Sequence, residues 1–142
     1  MCKAGVQVDF NWKKYLDLAD ELAANRTDEA KIRASISRAY YAAFCNARNY
    51  MIEKDLNKFP PEEKEHHKYL VKYFKGEADE SKTDNLDGTR DRIGRDLNSM
   101  RHDRRKADYE NYVCELERLN ETASDVIKRS RRVISSIERG GF

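Results

Sequence analysis

Glycine and proline are scarce in this chain, six and two among 142 residues. Each disrupts a helix interior, so their scarcity favours long helices. Long apolar runs are missing too: nothing approaches the ~20 consecutive apolar residues of a membrane-spanning helix. The opening Met-Cys-Lys-Ala-Gly-Val has no apolar stretch of the kind a secretion signal carries. The three cysteines, Cys2, Cys45 and Cys114, are odd in number and contain no Cys-x-x-Cys pair. That excludes a disulfide framework and points to free thiols in a reducing compartment. A soluble, cytoplasmic protein with no membrane association is expected. A large excess of one charge is also absent. With 28 basic and 26 acidic side chains the net charge is only +2, so bulk charge does not mark a nucleic-acid binder. There is no Gly-x-Ser-x-Gly and no glycine-rich phosphate loop, which leaves acyl transfer, kinase chemistry and hydride transfer without support. Histidines number three, and His66 and His67 are adjacent. Neighbours on a helix point about 100° apart and cannot serve one metal from one face. Neither a metal nor another cofactor is expected.

What the chain does have is charge and helical spacing. Charged residues make up 38% and hydrophobic residues 39%, a solvated surface around a modest core. The length suits a single domain over 1–142, with a core over about 10–138 that needs no metal or disulfide. Apolar residues recur in steps of three and four, and nothing alternates with period two for long enough to argue for a sheet. Asp9 would cap a first helix over about 10–24, with Leu16, Ala19, Leu22 and Ala23 as its stripe. Thr27 or Asp28 would cap a second, running to about residue 52. Its buried face is Ile32, Ile36, Ala39, Ala43, Ala47 and Tyr50, while Arg38, Tyr41, Cys45 and Arg48 lie on another. A third helix is expected over about 62–75, burying Tyr69, Leu70, Tyr73 and Phe74. Thr83 or Asp84 would cap a fourth, with Leu86, Ile93, Leu97 and Met100 in its core and Gly94 marking a bend or a close helix contact. Residues 111–138 read as one or two helices. Tyr112, Val113 and Leu116 form one apolar group there, Val126, Val133, Ile134 and Ile137 another, with Asn120 or Thr122 as possible caps. The sum is an all-α, up-and-down bundle of about five helices.

Basic residues are clustered. Between Arg90 and Lys106 there are seven, against the three acidic residues Asp91, Asp96 and Asp103. Lys128-Arg129-Ser130-Arg131-Arg132 is a second cluster. Either could neutralise phosphates. Near a helix C-terminus, such residues also oppose the helix dipole favourably.

Two segments carry the most specific pattern: Ser35-x-x-Arg38-x-Tyr40-Tyr41-Ala42-x-Phe44, and Arg101-x-x-Arg104-Arg105-Lys106-Ala107-Asp108-Tyr109. Together they resemble the HEPN family of small helical proteins, in its prokaryotic branch, over roughly residues 10–138. The resemblance implies a homodimer whose two motifs meet in a cleft, an RNA or nucleotide ligand, and a role in toxin–antitoxin or anti-phage defence. Many such proteins are metal-independent endoribonucleases whose motif is an Arg followed four to six residues later by a His. A guanidinium holds the scissile phosphate, and an imidazole moves the proton of the ribose 2′-OH. Here the place of that His, counted from Arg104, is held by Tyr109, and Arg105 stands where Asn is common. A phenol with a pKa near 10 is a poor base at neutral pH. Arg95 and His102, with six residues between them, meet the same loose spacing.

The resemblance thus assigns Arg104, Tyr109 and His102 to catalysis, and Arg101, Arg105, Lys106 and Arg38 to RNA binding. Tyr40, Tyr41, Phe44 and Asp108 would be structural or interface residues. A plainer reading stands beside this one. Tyr40, Tyr41 and Phe44 would be core rings and Arg38 would pair with a carboxylate. Asp108 would hold Arg104 one helical turn away, and Tyr109 would be half-buried. The functional alternative is a non-catalytic module that senses a nucleotide or partners a minimal nucleotidyltransferase, as HEPN-like domains often do.

Overall fold

The computed structural model describes residues 10–54, 65–75 and 88–140. Five helices occur among the described residues: α1 (Lys13–Ala23), α2 (Glu29–Lys54), α3 (His66–Lys75), α4 (Thr89–Tyr109) and α5 (Leu116–Arg139). No strand occurs among the described residues. The described residues therefore form an all-α bundle of five helices.

The long helix α2 is the centre. It packs against α1, α4 and α5 and touches α3 along one flank. Ile32, Ile36, Ala39, Ala43, Ala47 and Met51 are completely enclosed on it. Their steps of four, three, four, four and four residues form one stripe, with Met51 in the enclosed place expected of Tyr50, which is half-buried, and the alanines let neighbouring backbones come close. Asp28 caps the helix, its Oδ1 accepting from the Lys31 amide at 3.2 Å. Facing residues give the directions. Lys13–Glu138 and Asp20–Arg131 ion pairs set α1 antiparallel to α5. Ser37 reaches Asp108 while Arg104 lies over the Tyr40 ring, so α4 descends along α2. Tyr40 meets His67, and Tyr50 meets Phe74, so α3 runs in the same sense as α2. Direction alternates at the other three connections.

Several local expectations change. Helix α1 begins at Lys13, and the Asn11 Oδ1 accepts from the Lys13 amide at 3.1 Å. Asp9, Thr83, Asp84 and Leu86 lie outside the described residues. The chain from Leu116 to Arg139 is one helix, so Asn120 and Thr122 are interior to it. Asn120 donates instead to the Arg26 and Leu116 carbonyls, at 2.9 and 3.0 Å. Tyr112 and Leu116 are exposed, and of that expected apolar group only Val113 packs against the core. Gly94 marks a close contact, as one of its two expected roles had it. A Cβ there would lie 2.8 Å from the Lys75 Cγ and 3.2 Å from the Val71 carbonyl oxygen, so its absence lets α3 sit on α4.

The arginines of the second basic cluster are structural. Asp96 is buried in α4 and receives Arg129 at 3.0 Å and Arg132 through two bonds at 3.0 and 2.7 Å. Arg129 also holds Asp125 at 2.8 Å, and Arg131 holds Asp20 at 2.7 Å. These guanidinia tie α5 to its neighbours.

Candidate functional site

Helical rotation separates the residues of the 101–109 segment. Arg101 and Arg104, three apart, share the face that looks toward α2 and α3. His102, Arg105 and Tyr109 fall on an outward face and are exposed, Tyr109 to 76%. The half-buried ring expected of Tyr109 is thus not found. Lys106 turns the other way, toward α5, and lines a small cavity of about 200 Å³ with Asp103, Cys114 and Arg118.

On the α2–α3 side a larger cavity opens, about 370 Å³, walled by Tyr40, Tyr41, Phe44, Arg48, His67, Arg101 and Arg104. Its size is within the ~300–1,000 Å³ range of small-ligand sites. Tyr41, Phe44 and Arg48 are spaced three and four along α2, so they form one wall. Tyr40 and Phe44 are buried and nearly parallel, with ring centroids 5.6 Å apart. They are core rings that also line the cavity.

Arg104 is held between aromatic faces. Its guanidinium carbon lies 5.4 Å from both the Tyr40 and the Tyr41 ring centroids. Such contacts are worth about 0.5–2 kcal/mol each when partly desolvated. Asp108, one turn on, pairs with it at 3.4 Å, as expected, and the same carboxylate accepts from the Ser37 hydroxyl at 3.4 Å. That distance leaves Arg104 short of a tight ion pair, and its Nε is buried with no partner. Arg48 stands over the Phe44 ring at 5.4 Å. Neither Arg48 nor Arg101 has a carboxylate within ion-pair distance among the described residues. Arg38 is half-buried beside the cavity wall, over Tyr15 at 4.7 Å and Tyr41 at 5.3 Å. Those two rings, and the Ser37 hydroxyl at 3.4 Å, take the place of the expected carboxylate.

His67 was singled out in the sequence only for the metal question. It is buried on α3, and its Nδ1 is 2.7 Å from the Tyr40 hydroxyl. Burial, followed by the neighbouring Arg101 guanidinium, pushes its pKa down to about 3, so the imidazole is neutral at pH 7. Burial also pushes the Tyr40 phenol up, against the pull of Arg104. The pair is then an uncharged hydrogen bond. With the phenol donating to Nδ1, the imidazole's own proton lies on Nε2, a buried atom. The signal for His67 was present in the spacing: His67, Leu70 and Phe74 are the buried stripe of α3. The signal for Arg48 was its place four residues beyond Phe44.

Three guanidinia facing one opening, with aromatic rings beside them, suit a phosphate group attached to a planar base. Among the described residues no group of three His, Cys, Asp or Glu side chains is placed to hold a metal. No helix of the described residues is long and apolar enough to cross a membrane. No protein-family model, no curated protein and no solved structure matches the chain.

Proposed function

We propose that this chain is an RNA-directed protein, similar to the HEPN proteins that its two motifs resemble, and that the Tyr40–Arg104 cavity takes a phosphodiester of single-stranded RNA. One observation carries this reading. Arg48, Arg101 and Arg104 converge on a single opening, and Asp108 is the one carboxylate paired with any of them among the described residues. Gathering three guanidinia around one opening, with the Arg104 side chain largely withdrawn from water, is unfavourable unless an anion joins them. The half-buried ring of Tyr41 supplies stacking surface for an unpaired base.

Cleavage is a further step that needs a group to take the 2′-OH proton. His102 and Tyr109 are exposed and outside this cavity in their own chain. A nuclease built on them would draw them from the second copy of a homodimer, and would leave a 2′,3′-cyclic phosphate and a 5′-hydroxyl. The single-chain geometry favours binding, which also fits a module that works beside a nucleotidyltransferase. The test is fluorescence anisotropy with labelled single-stranded RNA, run with tRNA and mRNA cleavage assays in EDTA. Wild type is expected to bind, and Arg104→Ala to lose about tenfold or more in affinity, the order of one or two charge-assisted hydrogen bonds. No binding by wild type would remove the proposal. Arg104-dependent products ending in a cyclic phosphate would promote the nuclease reading.

A further inference from the structure

A second cavity, about 390 Å³, adjoins the first and shares two of its walls, His67 and Arg101. Its other side is α3, which lines it with Lys68, Lys72 and Lys75. These lysines are spaced four and three, so they stand in one row on the helix. None of them has a carboxylate within ion-pair distance among the described residues. Glu65, at the start of the row, is the one acidic residue on that wall.

We infer that this lysine row is a track for the RNA strand that leaves the Arg104 cavity, so that the ligand is a single-stranded oligonucleotide and not a mononucleotide. The inference rests on the phosphate-binding reading of that cavity and extends it. Arg101 belongs to both cavities, so a phosphate there connects the guanidinium cluster to the row. From Lys68 to Lys75 the helix rises about 10 Å, close to the length of three stacked nucleotides. Flexible ammonium groups suit a backbone that must be gripped without being read. Lys72 and Lys75 are in the last turn of α3, where the dipole also favours cations, but Lys68 is in the first turn and gains nothing from it.

The test measures affinity for a dinucleotide and for a single strand of about eight nucleotides across a salt series. It uses wild type, the triple variant K68Q/K72Q/K75Q and Arg104→Ala. The triple variant is expected to bind the dinucleotide like wild type and the longer strand more weakly. Losing three phosphate contacts at about 0.7 each lowers the log–log salt slope by about 2. Equal slopes and affinities for the longer strand would overturn the track while leaving the cavity reading intact, provided Arg104→Ala still binds less. Loss of binding to both ligands in wild type would overturn the cavity reading and the track together. If the triple variant does not fold, wild type alone decides: the longer strand must show the steeper slope, and equal slopes for the two ligands sink the track. A polyglutamate peptide that competes as well as RNA would also overturn it, since the row would then be a site for acidic protein.

Discussion

His67 and Tyr40 show how one buried pair couples the site to stability. The imidazole has a pKa of about 3 when folded and an ordinary value of 6.5 when unfolded. Between those values the unfolded chain binds the proton and the folded chain does not, so stability falls as pH drops through that window. Above pH 6.5 the contribution is fully present. The slope has an upper bound of about 1.4 kcal/mol per pH unit. In His67→Gln this part of the acid sensitivity should vanish, which denaturant titrations at pH 7 and pH 5 would show as a smaller difference than in wild type. Asp96 is a second residue of this kind. It is 2% exposed and receives two guanidinia, yet those of Arg129 and Arg132 are themselves partly in water. Breaking a fully buried pair costs about 3–5 kcal/mol. Here the cations left behind stay solvated, so Asp96→Ala is expected to cost less, about 1–3 kcal/mol, read from the shift in the chemical-denaturation midpoint.

The elements are joined at their ends by side chains that no periodicity reveals. Arg33 of α2 donates to the carbonyls of Ala107, Glu110 and Asn111, at 3.1, 2.6 and 3.2 Å. It closes the C-terminus of α4, where carbonyls lack intrahelical partners and the dipole favours a cation. The last turn of α4 carries Asp108, the partner of Arg104. Arg33→Ala should therefore lower stability by about 1–3 kcal/mol and raise amide exchange over residues 105–111 before the rest of α4. Uniform exchange across that helix would show that Arg33 holds nothing locally. Gly94 acts in the same way between α3 and α4. Its missing side chain lets the two helices approach, which brings His67 and Arg101 to one wall.

At the scale of the whole molecule, charge is nearly balanced but unevenly used. The three arginines of the 128–132 run are spent on Asp96, Asp125 and Asp20. Arg48, Arg101 and the lysines of α3 have no carboxylate partner among the described residues and face two adjoining cavities. Under the proposed function the Tyr41 ring meets only unpaired bases, so single-stranded RNA should bind more tightly than a duplex of equal length. Competition anisotropy compares the two, and equal affinities would indicate that the ring serves the core alone.

The helical class and most of the buried stripe of α2 were legible from residue order, and a close contact was one of the two roles open to Gly94, because the three-to-four-residue period and the demand for small residues at close contacts are local rules. So was the Arg104–Asp108 pair, one turn of helix apart. The membership of the cavity was not. It joins position 40 to 67 and 104, and only packing brings three helices to one place. The same rotation that puts Arg101 and Arg104 inside carries His102, Arg105 and Tyr109 outside, although all five stand within nine residues of chain. Which cations are tied to carboxylates and which remain for a ligand was likewise a tertiary matter. An ion pair depends on distances between helices, and no count of charges along a chain contains them.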